Sequence, residues 1–334
     1  MKKIITLSLL SVLSANVLAS DSNPTNSKKT LTVYTYDSFV SDWGPGPKIK
    51  TAFEQSCECT LNLIAEEDGV SVLNRLKIEG KKSKADVILG LDHGLIKEAK
   101  STNLIADHTV DTSVLLPALK WQDQQFVPYD FGYFAFIYDS SKISNPASSL
   151  KELVASDASI IYQDPRTSTP GQGLMFWMNT VFDKSTEQAW QDLAKHTATV
   201  TKGWYEGYSM FLKGGADYVL SYTTSPAYHM IVDSEEKYKA ALFNEGHMQQ
   251  IEVAAALKTS KEPALAQEFL NFLISDQAQK ILPVTNWMLP VKANISLPEQ
   301  FSKLIQPKAI DADFEYLADQ RKRWIKVWRT QAAK

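Results

Sequence analysis

Cysteine is nearly absent from this chain of 334 residues, which contains only Cys57 and Cys59. Without a histidine nearby, two thiols cannot complete a zinc site. A disulfide between residues two apart closes a very small ring, which is geometrically awkward, so the sequence leaves their pairing open. Both cysteines precede the second predicted strand, at its amino end, and we favour a structural role for them over a nucleophilic one.

Other signatures of catalysis and cofactor binding are also missing. The chain has no Gly-x-Ser-x-Gly elbow, Gly80-Lys-Lys-Ser83 lacks the spacing of a phosphate-binding P-loop, and Gly171-Gln-Gly173 is too short for a dinucleotide fingerprint. The sequence therefore predicts no catalytic residue, no cofactor and no metal centre. The histidines lack metal-ligand spacing and are scattered along the chain: His93, His108, His196, His229 and His247.

Long apolar runs and a surplus of positive charge are absent as well. Beyond the first 19 residues, no run approaches the roughly 18 apolar residues of a membrane span. Residues 1–19 themselves combine a basic start, a short apolar core and a Val-Leu-Ala end, which is typical of a secretory signal peptide. Their removal would leave 315 residues and lower the formal net charge from −3 to −5, because two lysines leave. We therefore expect an exported, soluble monomer that does not bind nucleic acid.

What is present is a regular alternation of strands and helices. In the first third, the order strand, helix, strand, helix, strand implies a parallel sheet with helices packed on it. A capping box at Ser149-x-x-Glu152 and another at Ser185-x-x-Gln188 predict two later helix starts. The predicted strands cover residues 31–36, 60–65, 85–91, 159–162, 198–201 and 218–223, and the predicted helices begin near residues 48, 70, 150, 170, 186, 263 and 314.

Two extended segments interrupt this alternation. Phe126–Tyr138 is long enough to cross between two lobes, and Ile251–Leu257 has the composition of a return crossing. The sequence therefore predicts an α/β protein with two lobes, each a sheet flanked by helices, joined by extended crossover strands. We assign residues 20–130 and 250–334 to the first lobe and residues 131–249 to the second.

The segment Asp164–Gly173 is a candidate ligand site. It follows an apolar strand, contains two adjacent hydroxyl residues, and opens a helix near Pro170. The first amides of a helix lack internal partners and are partly positive, so such a segment can hold an anion. An ordinary helix cap explains the same residues, and the sequence alone leaves both interpretations open.

Aromatic residues also gather in the predicted loops that follow the strands. Ligands of open parallel sheets bind beyond the carboxyl ends of the strands, where these loops meet. Large aromatic side chains in loops often serve only packing. Together with nearby carboxylates, however, they suit a flat cation, and hydroxyl groups at the same edge suit an anionic group at its other end. The aromatic residues in question are Tyr36, Trp43, Trp204, Tyr222, Tyr228 and Trp287.

Several blocks resemble a known family, the periplasmic thiamine-binding proteins of ABC importers. The likeness extends over essentially the whole chain after the predicted signal peptide. It also implies the two-lobed periplasmic-binding-protein fold. The blocks are Leu31–Phe39, Asp42–Pro47, Glu67–Val70, Ser83–Val87, Tyr162–Gly171, Val200–Trp204, Leu220–His229 and Asn286–Met288.

The resemblance implies a ligand and its contacts. The ligand would be thiamine, with its mono- and diphosphate esters, carried in the periplasm to an ABC permease. Asp68 and Gly69 would contact it from the first lobe, and Ser168 and Thr169 would hold its phosphate or hydroxyethyl end. The rings would be enclosed by Tyr36, Trp43, Tyr228 and Trp287, and the second lobe would contribute Trp204, Tyr222, Thr223, Thr224 and Ser225.

Two alternatives remain at this stage. Thiamine-cleaving transferases are similar in fold to these receptors, but their chemistry needs an activated cysteine in the cleft. A receptor of the same architecture for another cationic ligand, such as a polyamine, would also use aromatic rings and carboxylates. A transport receptor is the favoured interpretation.

Overall fold

The computed structural model describes residues 28–332, so the predicted signal peptide, residues 1–19, lies outside the described part of the chain. The strands are β1 (Thr30–Tyr36), β2 (Thr60–Glu66), β3 (Val87–Asp92), β4 (Val127–Asp139), β5 (Ile160–Gln163), β6 (Thr197–Thr201), β7 (Tyr218–Tyr222), β8 (Tyr238–Ala240), β9 (Gln249–Ala256) and β10 (Leu289–Pro290). The helices are α1 (Asp37–Val40), α2 (Gly46–Cys57), α3 (Gly69–Glu79), α4 (Ile96–Ser101), α5 (Leu150–Ala155), α6 (Thr169–Phe182), α7 (Thr186–His196), α8 (Trp204–Leu212), α9 (Ser225–Tyr228), α10 (Pro263–Leu273), α11 (Asp276–Ile281) and α12 (Phe314–Gln331).

The first lobe is built on the predicted parallel arrangement. Strand β1 pairs in parallel with β2 along its whole length and with β3 on its other side. The strand residues Leu31, Val33 and Leu61 are buried with Phe53 of α2 and Phe269 of α10. Because helices cover the sheet, β3 is buried at every position, as its apolar composition predicts.

Two crossing strands connect the lobes. Strand β4 is 13 residues long, and its first half pairs antiparallel with β9. Its second half pairs antiparallel with β7, so the same strand takes part in the sheets of both lobes. The strands follow one another in the order β2-β1-β3-β9-β4-β7-β5-β6. The predicted crossings at 126–138 and 251–257 correspond to β4 and β9.

The second lobe repeats the plan of the first. Strand β5 is parallel to both β6 and β7. On one face, Trp177 of α6 and Trp190 of α7 are fully buried against the sheet. On the other face, Tyr208 and Phe211 of α8 pack on Val219 of β7. Helix α8 therefore has a fixed position at the edge where the strands end.

The C-terminal helix α12 lies against both lobes. Its Trp328 is buried in the core of the second lobe, and the indole N–H donates to the Tyr162 hydroxyl at 3.2 Å. Its Arg321 pairs with Glu98 of α4, in the first lobe. The lobe boundaries assigned from the sequence stay a prediction. They place α12 in the first lobe, whereas its Trp328 contributes to the core of the second lobe.

Two local details answer questions that the sequence raised. Cys57 and Cys59 form a disulfide, with their Cα atoms 5.1 Å apart, so the chain has no free thiol. At α5, the Ser149 hydroxyl accepts a hydrogen bond from the Glu152 amide at 3.0 Å, as the capping box predicts. No helix within residues 28–332 is both long and apolar enough to cross a membrane.

The second predicted capping box, at the start of α7, is wrong. The Ser185 hydroxyl donates to the carbonyl of Phe182 instead of accepting a hydrogen bond from an α7 amide. A 3₁₀ turn, Asp183–Ser185, joins α6 directly to α7, and Ser185 has φ −95° and ψ 9°. A capping side chain needs an extended backbone ahead of the helix, and Ser185, at the end of the 3₁₀ turn, does not have one.

Candidate functional site

A cavity of about 280 Å³ lies between the lobes. It sits beyond the carboxyl ends of the parallel strands, because Tyr36 ends β1, Tyr222 ends β7, and Trp204 begins the helix after β6. Its volume is close to the lower end of the range for small-molecule sites, about 300–1,000 Å³. The cavity is therefore suited to one small ligand.

Nine of the thirteen ligand-binding residues predicted from sequence line this cavity. They come from both lobes and from loops distant in the chain. Their contact with a ligand stays a prediction. The nine residues are Tyr36, Trp43, Asp68, Thr169, Trp204, Tyr222, Ser225, Tyr228 and Trp287.

The other four predicted residues do not line the cavity. Ser168 is completely buried at the start of α6. Thr223 and Thr224 face a separate groove beside residues 297–307. Gly69 packs at the contact between the lobes, where a Cβ atom would lie 2.0 Å from the Gly90 carbonyl oxygen and 2.8 Å from the Thr169 methyl carbon. Glycine at position 69 therefore allows the lobes to meet closely.

Gly90 has a related role beneath the cavity. Its φ of +98° falls in the left-handed region, and the register of β3 shifts at this residue. A side chain here would collide with the ring of Tyr36, since a Cβ atom would lie 2.2 Å from that ring. The bulge at Gly90 consequently creates the space in which Tyr36 lies at the cavity floor.

Aromatic rings form the walls. Trp43, from the first lobe, lies 6.2 Å from Trp204 and 5.4 Å from Tyr205 of the second lobe, measured between ring centroids. Tyr228 meets Trp287 edge to face at 5.3 Å. Trp43 remains 37% exposed, so it lies at the rim. These faces can stack on a flat ligand and attract a cation.

Trp287 has an unusual backbone conformation and an unused hydrogen-bond donor. Its φ of +59° is left-handed, which costs a bulky residue roughly 1–2 kcal/mol. Its indole N–H is buried and has no hydrogen-bond partner among residues 28–332. Strained backbone and unsatisfied polar groups are concentrated at functional sites. The strained backbone of Trp287 therefore agrees with its position in the wall of the cavity.

At the start of α6, the protein supplies its own anion. The Asp68 carboxylate accepts from the Ser168 hydroxyl at 2.8 Å and from both the amide and the hydroxyl of Thr169 at 3.1 Å. It also accepts from the Trp204 amide at 3.3 Å. Asp68 belongs to the first lobe, whereas these donors belong to the second. The carboxylate therefore holds the lobes together, at the helix N-terminus that the sequence analysis identified as an anion site.

The capping interpretation of the same segment is also confirmed. Ser168 accepts a hydrogen bond from the amide of Gly171, and Pro170 occupies the first turn, where its missing N–H costs nothing. Burial raises the pKa of Asp68, although its hydrogen bonds oppose this effect. The carboxyl group can therefore gain a proton more easily than an exposed aspartate.

A second acidic region forms the floor. Asp92, Glu252 and Asp130 are direct partners across the adjacent strands β3, β9 and β4. They are 3, 6 and 0% exposed, respectively, and Glu252 lines the cavity. Burial raises the pKa of Asp92 and of Glu252 to about 7 in each case. Burial and the charge of Glu252 raise the pKa of Asp130 well above its usual value.

Glu252 is held by a network of hydrogen bonds. Its carboxylate accepts from the hydroxyl of Tyr36 at 2.9 Å, from the hydroxyl of Tyr129, and from the Gln250 amide at 2.9 Å. The Asn286 amide donates to Asp130 at 2.7 Å and to Tyr36 at 3.0 Å. The position of Glu252 at the cavity floor is therefore fixed.

Sequence analysis missed half of the lining residues. Glu252 could have been identified from the sequence, because it is the one charged residue in the strand Gln249–Ala256. The helix residues could not, since Tyr208, Ser209 and Leu212 face the cavity only through the packing of α8. The missed lining residues are Ser38, Pro170, Tyr205, Tyr208, Ser209, Leu212, Glu252, Asn286 and Met288.

The charge of the cavity is one-sided. Asp68 and Glu252 line it, and no lysine, arginine or histidine within residues 28–332 does so. The disulfide pair lies at the end of α2, so no thiol nucleophile is available in the cleft. Aromatic walls, a carboxylate floor and hydroxyl groups at one end together form a site for a flat cation with polar substituents.

Comparison with known proteins agrees with this geometry. The model of the bacterial extracellular solute-binding proteins matches residues 47–280. The chain is 54% identical over 92% of its length, and 94% of the relative's, to the thiamine-binding periplasmic protein of Escherichia coli (strain K12). It is 48% identical, over 90% of its length and 91% of the relative's, to the protein of the same name from Brucella suis biovar 1 (strain 1330).

A solved structure, a periplasmic thiamin binding protein, is 53% identical and superimposes with a TM-score of 0.89, over 92% of this chain and 97% of that chain. The α/β fold of periplasmic binding proteins and the periplasmic location predicted from sequence are thereby confirmed. The chain therefore belongs to the bacterial extracellular solute-binding protein family.

Proposed function

We propose that this protein binds thiamine in the interlobe cavity and delivers it to the membrane permease of an ABC importer. One observation carries the proposal: the cavity combines aromatic walls and buried carboxylates, and none of its lining residues in the described part of the chain is basic. Thiamine has a cationic thiazolium ring and a flat aminopyrimidine ring, which match these features. Relatives that share about half of its residues are thiamine-binding periplasmic proteins.

The two rings would lie among the aromatic side chains of both lobes. Stacking and cation–π attraction at such rings contribute about 1–2 kcal/mol each when water is excluded. The carboxylate of Glu252 would accept hydrogen bonds from the ligand or balance its charge. Ligand binding would thus favour the closed arrangement in which Trp43 meets Trp204.

We extend the proposal to thiamine monophosphate and diphosphate. Their anionic end would lie at Thr169 and Asp68, where the amide and hydroxyl donors of α6 are found. Those donors now bind the Asp68 carboxylate, so a phosphate would have to share them. The raised pKa of Asp68 supports this, because a protonated carboxyl group can donate to a phosphate oxygen.

Tryptophan fluorescence tests ligand binding directly. Trp43, Trp204 and Trp287 line the cavity, so titration with thiamine is expected to give a saturable change at micromolar or lower concentration. A flat response with the folded protein would contradict the proposal. Competition by the two phosphate esters then ranks them against thiamine, and sedimentation with and without ligand tests the predicted monomer.

The transport role has its own test. In vesicles that contain the permease and its ATPase, thiamine uptake is expected only when this protein is present on the outer side. Uptake at the same rate without it would remove the delivery step from the proposal while leaving binding intact.

The two rival functions predict different results. A thiamine-cleaving enzyme would consume thiamine in the presence of a nucleophilic amine, but the relatives are binding proteins and both cysteines are joined in the disulfide. Intact thiamine after prolonged incubation is the expected outcome. A polyamine receptor would release bound thiamine when spermidine is added, and we expect no displacement at equal concentration.

A further inference from the structure

The acidic row beneath the cavity raises a question that thiamine binding alone does not answer. Glu252 faces Asp92 on one side and Asp130 on the other, in direct cross-strand register. Like charges in this position repel, and burial removes the water that would screen them. In an empty cleft, at least one of the three carboxyl groups must therefore stay protonated.

Among the surrounding groups, a positive charge lies near only one of the three carboxyl groups, that of Asp92. Arg321 of α12 lowers the pKa of Asp92 by its charge, although burial dominates. The groups that face Glu252 and Asp130 are the neutral hydroxyls of Tyr36 and Tyr129, the amides of Asn286 and Gln250, and the carboxylate of Asp68. Tyr222, whose hydroxyl donates to Gln250, completes this shell. None of these groups, taken from residues 28–332, is a cation.

The hydrogen bonds suggest where a proton resides. Oδ2 of Asp130 accepts from Asn286 at 2.7 Å, whereas Oδ1 is buried and has no partner among residues 28–332. An ionised carboxylate with an unpartnered buried oxygen is costly, and a protonated carboxyl group directed at its neighbour removes this cost. Two adjacent carboxyl groups that share one proton are a known consequence of such repulsion.

We propose that Glu252 and Asp130 share one proton in the empty protein and release it to the solvent when the cationic ligand enters the cavity. The ligand's positive charge replaces the proton, so that both carboxyl groups are ionised in the complex and the total charge of the site is conserved. Glu252 thereby becomes a specificity-determining residue, because a neutral ligand of the same shape cannot drive the release. This inference rests on the proposed binding of a thiamine-like cation.

Calorimetry measures the proton directly. Thiamine is titrated into the protein at fixed pH in several buffers, and the slope of the observed enthalpy against the buffer's ionisation enthalpy gives the number of protons released. We expect the release to approach one proton, with more released at pH 6 than at pH 8. As the pH rises, the affinity is expected to increase by up to about tenfold per pH unit below pH 7 and to level off above pH 7.

Two variants identify the pair. Glu252→Gln keeps the size of the side chain but removes its charge, so binding at pH 8 is expected to weaken tenfold or more and proton release to disappear. Asp130→Asn removes the repulsion, so Glu252 is already ionised and affinity no longer changes between pH 6 and 8. Asp157→Asn, at an exposed aspartate outside the cavity, serves as the matched control and is expected to behave as the wild type.

The outcomes distinguish a failure of the proposed proton release from a failure of the proposed thiamine binding. Thiamine binding without proton release between pH 6 and 8 overturns this inference alone, as does unchanged release in Glu252→Gln. Absence of thiamine binding at every pH overturns the proposed function together with it. Near-ultraviolet circular dichroism of each variant establishes that it is folded, and the two substitutions lie on different strands, so the failure of one to fold leaves the other informative.

Discussion

At the scale of single residues, the cleft is defined by side chains whose surroundings change their chemistry. Asp68 would be an ordinary helix cap for α3, but its burial between the lobes makes it the partner of four donors from the opposite lobe. Trp43 lies at the rim, where its ring contacts the rings of Trp204 and Tyr205 in the second lobe. Its contribution to binding is therefore separable from folding.

Trp43→Ala is expected to weaken thiamine binding by about 1–3 kcal/mol, because a stacked, cation-attracting face is lost. The stability of the empty protein should change little, since the side chain is 37% exposed. Fluorescence titration and thermal melting measure the two effects. Tyr316→Ala, at an exposed aromatic residue of α12, is the control, and equal affinities for all three proteins would remove Trp43 from the site.

At the scale of elements, helix α12 contacts both lobes and so adds a second connection to that made by the crossing strands. The guanidinium of Arg321 is nearly buried and pairs with Glu98 of α4, which also pairs with Lys77. Nearby, Lys97 pairs with Asp319 at 2.7 Å, but both side chains are about half exposed. Buried ion pairs are costly to break because a charge is left without a partner, whereas exposed pairs contribute little.

Arg321→Ala is accordingly expected to lower the free energy of unfolding by about 1–3 kcal/mol, because Glu98 keeps only Lys77 as a partner and Asp92 loses a nearby positive charge. Lys97→Ala, which breaks the exposed pair on the same two helices, should cost less than about 1 kcal/mol. Urea unfolding followed by circular dichroism compares them. Similar losses in both variants would show that burial does not determine the strength of the contact.

At the scale of the whole molecule, the two sheets share β4, and a cavity opens where their strands end. The carboxyl groups placed there are stabilised in their protonated form. A carboxyl group whose pKa is raised by folding stabilises the protein at low pH, and this contribution is lost as the pH increases through the folded value. For Glu252 the loss lies between about pH 4 and 7.

The unliganded wild type should therefore lose stability relative to Glu252→Gln as the pH rises from 5 to 8. We expect the difference to change by about 1–3 kcal/mol over this range. Buried His93, whose pKa is lowered to about 3, has the opposite trend below pH 6.5, and comparison of the two proteins at each pH cancels it. A difference that stays constant with pH would show that Glu252 is ionised throughout.

The local pattern of the sequence determined most of the elements. The strand–helix alternation, the crossing segment at 126–138 and the Ser149 cap could all be predicted, because they depend on residues close together in the chain. The Ser185 cap failed since Ser185 ends a 3₁₀ turn and lacks an extended backbone, which the pattern of hydroxyl and amide residues does not reveal.

Composition also determined the general chemistry of the site, since aromatic and hydroxyl residues follow the strands. Only the tertiary structure decided which of them meet. In the folded protein, Ser168 donates to Asp68 and is buried, while Thr223 and Thr224 line another groove. Glu252 lies at the cavity floor, paired across the strands with Asp130. The physical reason is that local patterns specify secondary structure, whereas the burial and pairing of charges depend on strand register and lobe contact between residues far apart in the chain.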